Sequence, residues 1–135
     1  MTDAELVTKK LAFIETCCRE LRQLTRLELI RTDVRERRFV EHTLQVAIQA
    51  VLDLASHIVS DERLGEPNTN REVFTLLEGA GWIESDLSRA LQRMAGFRNV
   101  LVHGYTEVDL KIVENAVSSG LIDLERFAAV IRGKC

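Results

Sequence analysis

The sequence predicts an all-α chain, an antiparallel helical bundle with two long helices followed by shorter C-terminal helices. Three observations carry this prediction. Apolar residues recur three or four positions apart over most of the chain, no stretch alternates polar and apolar long enough to ask for a strand, and the single proline, Pro67, falls in the clearest loop. At 135 residues the chain is expected to form one helical domain spanning 1–135.

The first element runs from Ala4 to about Ile30, where Val7, Leu11, Ile14, Cys18, Leu21, Leu24 and Leu27 make one broad apolar stripe. Asp33 and Glu36 have the spacing of a capping box, so a second helix begins there and runs to about Ser60. Its stripe is Val40, Leu44, Ala47, Val51, Leu54 and Ile58, and the short turn before it makes the pair an antiparallel hairpin. The segment from Asp61 to Asn70 reads as loop. Thr69 with Glu72 caps a short third helix that Gly79-Ala80-Gly81 ends. A fourth helix starts near Ser85, uses Leu87, Leu91 and Met94 against the core and continues into 98–103, with Gly96 weakening its continuity and Gly104 stopping it. Two short helices, Asp109 to about Val117 and Asp123 to Ile131, flank a Ser-Ser-Gly turn and close one end of the bundle.

Composition narrows the function classes. The chain is 46% hydrophobic and 29% charged, the balance of a folded globular protein, with no repeat or low-complexity stretch. A net charge of -3 argues against indiscriminate coating of nucleic acid and leaves room for a local basic groove. No uninterrupted apolar run approaches about 18 residues, and the amino terminus, Met-Thr-Asp-Ala-Glu, is acidic where a signal peptide is basic. The expectation is a cytoplasmic chain without a membrane partner. Of three cysteines, Cys17 and Cys18 are adjacent within a helical pattern and cannot readily bridge each other, so reduced structural thiols are expected.

Chemistry concentrates in one place. Arg98, Asn99, His103 and Tyr105 put four polar functional groups within eight residues. On a helix, Asn99 and His103 are i,i+4 and share a face, with Arg98 about 100° round and long enough to reach back. These residue types fit RNA cleavage without a metal. An imidazole, titrating near about 6.5, transfers the proton of a ribose hydroxyl. A guanidinium fork holds phosphate oxygens and stabilises the charge of the transition state. Asn99 can orient the imidazole or the phosphate, and Tyr105 can stack on a base or serve as a modifiable hydroxyl. One histidine is not two acid–base groups, so a homodimer placing two copies of the segment in one cleft is expected. The same residues also have ordinary uses: a structural histidine, an ion-paired arginine, a local Asn cap and a packed tyrosine.

Two supporting positions follow. Asp53, on the polar side of the second helix with His42, Gln45, Gln49, Ser56 and His57, is a candidate to orient His103 or a substrate; an ordinary wet face explains it too. Arg89 and Arg93 lie one turn apart leading toward Arg98 and suggest an anionic path. Arg31, Arg35, Arg37 and Arg38 cluster around the first turn; pairing with Glu28, Asp33, Glu36 and Glu41 is their simplest role, and contacts to RNA phosphate or an acidic partner are the alternative. No metal or cofactor is expected.

The blocks Arg37-Arg38-Phe39-Val40-Glu41-His42-Thr43-Leu44-Gln45-Val46-Ala47-Ile48, Glu72-Val73-Phe74 with Leu77, and Phe97-Arg98-Asn99-Val100-Leu101-Val102-His103-Gly104-Tyr105 together resemble the HepT-like branch of the HEPN superfamily, toxins of HepT–MntA toxin–antitoxin pairs. The resemblance implies an all-helical dimer with a ribonuclease site at its interface, built from an arginine and a histidine separated by four to six residues. Arg98 and His103 match with four between them, and Asn99 matches the polar position. Tyr105 matches the tyrosine two residues after the histidine. The resemblance implies that a separate MntA-like nucleotidyltransferase antitoxin, using ATP, adenylylates that hydroxyl and closes the site with charge and bulk. The chain itself lacks a Gly-Ser loop with paired aspartates for nucleotide transfer. The competing expectations are a catalytically silent nucleotide- or antitoxin-binding helical module and a structural adaptor.

Overall fold

The computed structural model describes residues 3–103 and 110–134, apart from the side chains of Val102 and His103. The helices are α1 (Ala4–Leu24), α2 (Val34–Asp61), α3 (Asn70–Gly79), α4 (Ser85–His103), α5 (Leu110–Asn115) and α6 (Leu121–Lys134), and no strand occurs among the described residues.

Each start has a chemical reason. The Asp3 carboxylate accepts the N–H groups of Glu5 and Leu6 and caps α1, which buries Val7, Leu11, Ile14, Cys17, Cys18 and Leu21. The helix does not reach Ile30 as its apolar spacing predicts. Thr25 is extended, Leu27–Leu29 form a single 3₁₀ turn, Leu24 is left 59% exposed, and Ile30 drops fully into the core. The break is stabilised at 2.8 Å by Glu36, whose carboxylate accepts the Arg26 N–H.

That bond also changes the expected capping box of α2. Asp33 does accept the N–H groups of Arg35 and Glu36, but its own N–H is taken by the Leu29 carbonyl at 2.8 Å, so Glu36 is free to serve the turn before it. The box at α3 forms in full: Thr69 accepts the Glu72 N–H, and Glu72 reaches back to the N–H groups of Thr69 and Asn68. Gly81, at φ +81°, ends α3 in the left-handed conformation that glycine adopts without strain, and the Trp82 N–H closes back on the Leu77 carbonyl.

The expected Ser-Ser-Gly turn is instead wound. Residues Ala116–Gly120 form a π-helical turn joining α5 to α6, in which the Ser118 and Ser119 hydroxyls donate to the carbonyls of Glu114 and Asn115. A Cβ on Gly120 would lie 3.1 Å from Met94 Sδ and Cε, so the glycine permits the close approach of α4.

Cross-links give the directions. Lys10–Asp53 joins antiparallel α1 and α2; Arg22–Glu125 and Arg132–Glu15 join antiparallel α1 and α6; Asp86–Arg126 and the Met94–Gly120 contact join antiparallel α4 and α6. The core they enclose is aliphatic, with Phe74 and Phe127 meeting edge to face at 6.4 Å. By length and composition α2 is apolar enough to cross a membrane, yet 61% of its most apolar window is buried in the bundle, as expected of a core helix.

Candidate active site

Helix α4 carries both the core and the candidate chemistry. Leu87, Leu91, Met94 and Ala95 face inward, and Arg98 is the next position on that stripe. Here the stripe changes from apolar to cationic. The Arg98 side chain is half-buried, its Nε is buried without a hydrogen-bond partner among the described residues, and Nη1 donates to Asn99 Oδ1 at 3.3 Å. No carboxylate pairs with this guanidinium among the described residues. A buried N–H with nothing to donate to is costly, and a phosphate oxygen is the kind of acceptor that satisfies it.

The helix continues without a break through Gly96 to His103, so position 103 lies on the same helix as Arg98 and one turn beyond Asn99. Gly104 and Tyr105 fall outside the described residues. Exposed Asn99 and Val100, the latter 43% accessible, leave this end of α4 open to solvent or to another molecule.

Among the described residues neither supporting residue bonds Arg98. Asp53 accepts from Lys10 Nζ at 3.3 Å and from Gln49 Nε2 at 2.8 Å, so its described partners lie on α1 and on its own helix. Arg93 is exposed and five residues before Arg98, roughly 140° round the helix. Its charge acts on Asp123 of α6: burial pushes that carboxyl up, and Arg126 and Arg93 draw it back down. Of the arginines near the first turn, Arg31 pairs across the fold with Glu114 of α5 at 2.8 Å.

Sequence reasoning missed one cation beside the site. A Cβ at Gly96 would lie 2.5 Å from Arg71 Nη2, so the Arg71 side chain of α3 occupies the space the glycine leaves on α4. The signal for it was a glycine inside a helix, which costs about 1 kcal/mol relative to alanine and so asks for a reason.

Elsewhere, a groove of about 760 Å³ between α1 and α6 is lined by Cys18, Arg22, Glu125, Glu15 and Arg132. Its carboxylates are already paired with its arginines, and burial together with Glu125 pushes the Cys18 thiol up to about 12, leaving it protonated and unreactive. Among the described residues no group of three or more His, Cys, Asp or Glu side chains is placed to hold a metal ion.

A model of the ribonuclease HepT-like family matches residues 14–131. The mRNA nuclease HepT of Shewanella oneidensis is 34% identical over 131 residues, covering 96% of this chain and 98% of its own. A tri-AMPylated HEPN toxin of the same organism, solved in complex with MNT antitoxin, superposes with a TM-score of 0.89 at 34% identity, covering 98% of this chain and 99% of that one. A toxin–antitoxin complex with AMP-PNP gives a TM-score of 0.90 at 33% identity over 96% of this chain and 98% of its own.

Proposed function

The chain belongs to the ribonuclease HepT-like family, and we propose that it is an endoribonuclease toxin that cuts RNA without a metal ion, using Arg98 and His103. The observation that carries the mechanism is the half-buried Arg98 guanidinium, which among the described residues has no carboxylate at the end of the core stripe and no partner for its Nε.

In this mechanism His103 removes the proton of a ribose 2'-hydroxyl, whose oxygen attacks the adjacent phosphorus. Arg98 holds the phosphate oxygens as negative charge builds, and Asn99, hydrogen-bonded to that guanidinium, orients it. The bond from phosphorus to the 5'-oxygen breaks, and the departing oxygen takes a proton from the histidine of a second copy. The upstream fragment keeps a cyclic phosphate and the downstream one a 5'-hydroxyl. A homodimer supplies the second histidine.

Regulation uses Tyr105. A separate MntA-like antitoxin transfers the adenylyl group of ATP to the tyrosine hydroxyl with loss of pyrophosphate. The added phosphate repels RNA and fills the cleft. The tri-AMPylated state of the Shewanella oneidensis toxin, and its complex with MNT antitoxin, support this reading.

The test is cleavage of a mixed RNA pool in chelator by protein whose intact mass shows no modification. His103→Ala and Arg98→Ala each lower the rate by about a hundredfold or more, the usual worth of a proton-transfer or charge-stabilising group. Absence of cleavage by folded, unmodified dimer across varied RNAs overturns the proposal and leaves a silent antitoxin-binding module.

A further inference from the structure

We infer that Arg71 is an RNA-binding residue of this ribonuclease, holding a backbone phosphate beside the scissile one; the inference rests on the ribonuclease reading above. Three features of the structure support it.

The first is the seat. Gly96 lies in the interior of α4, and any larger residue would put a Cβ 2.5 Å from Arg71 Nη2 and 3.5 Å from Cζ. The missing side chain lets a guanidinium from α3 lie against the backbone of the helix that carries the site.

The second is the charge. Arg71 is exposed and makes no ion pair among the described residues. The neighbouring carboxylate, Glu72, is turned away to cap α3, where it accepts the N–H groups of Asn68 and Thr69. The cation is therefore positioned and un-neutralised, as a phosphate contact requires.

The third is the register. From Gly96, Asn99 is one turn on and position 103 two turns on along the same side of α4, roughly 10 Å at 1.5 Å per residue. Arg98 lies on the inner stripe, round the helix from Gly96. The two guanidinium groups thus approach the end of α4 from different sides, Arg98 for the reacting phosphate and Arg71 for a flanking one.

The experiment measures cleavage kinetics together with binding of a fully 2'-O-methylated RNA, which lacks the nucleophile and cannot be cut by this route. Arg71→Ala raises KM and the Kd for the methylated RNA on the order of tenfold, the worth of one charged hydrogen-bonding group, while kcat stays within a factor of about two. The salt slope of binding falls by roughly 0.7, one phosphate contact on a single strand, and Arg71→Lys restores most of it. Gly96→Ala, which displaces the guanidinium while keeping its charge, weakens binding in the same direction without lowering Tm.

Wild-type protein that cleaves and binds while Arg71→Ala does both equally well overturns the inference and leaves the ribonuclease reading intact. Binding without cleavage, still weakened in Arg71→Ala, supports the phosphate contact and removes the catalytic reading. If wild type neither binds nor cleaves RNA, both fall.

Discussion

Cys17 and Cys18 are both free and buried in α1, and burial raises both thiols, Cys18 to about 12. In a Cys135→Ser variant, Cys18 is therefore expected to resist alkylation at neutral pH while the protein is folded and to react on denaturation, a contrast that intact-mass labelling reads directly. The sequence pointed to structural thiols because the pair sits on an apolar stripe, and burial agrees. Arg98 was visible in sequence as a residue type in a polar cluster. Its position as the terminus of the Leu87–Leu91–Met94 stripe is also legible from spacing, but its unpaired Nε depends on what surrounds it. Gly96 inside a helix signalled a close neighbour, but that the neighbour is Arg71 was not legible, because the contact crosses between two helices that no local spacing relates. Asp53 shows the same limit. Its carboxylate reads equally well as wet face or site support, and only the packing of α1 gives it Lys10.

Helix boundaries were legible where one local device sets them. Thr69 and Glu72 satisfy three backbone donors within five residues, so the start of α3 could be read from the spacing alone. Thr69→Ala is expected to cost about 1 kcal/mol, the usual worth of a cap, lowering the urea midpoint without changing the slope of unfolding. Boundaries set by competition were not legible. The end of α1 depends on Glu36 bonding Arg26 from ten residues away, and the apolar positions of 24–30 look helical because Leu24, Leu27 and Ile30 keep a three-residue spacing even though the backbone between has broken. The winding of Ala116–Gly120 was hidden for another reason: Ser-Ser-Gly is turn chemistry, yet both hydroxyls find carbonyls four residues back and the glycine leaves room for Met94.

At the scale of the molecule, the all-helical class and the antiparallel hairpin of α1 and α2 follow from periodicity and a short connection; the placement of α6 against α1 does not, since it joins the two ends of the chain. Two ion pairs mark that contact, Arg22–Glu125 and Arg132–Glu15. The hydrogen bond from Arg22 holds Glu125 below the usual carboxylate range, so this group stabilises the fold above the unfolded pKa of about 4.3 and ceases to as pH falls through its folded value. Wild type should lose more stability than Glu125→Gln between about pH 5 and 3, read as a larger fall in Tm, though by only about 0.5 kcal/mol, because both side chains are more than a third exposed. Small as they are, these pairs also encode an orientation. In α1 the acid precedes the base, Glu15 then Arg22, and in α6 the order is again Glu125 then Arg132, with the same seven-residue interval. Laid antiparallel, the two helices match opposite charges at both places; laid parallel at that interval, they set glutamate against glutamate and arginine against arginine. Contacts too weak to hold the last helix in place can still tell it which way to run.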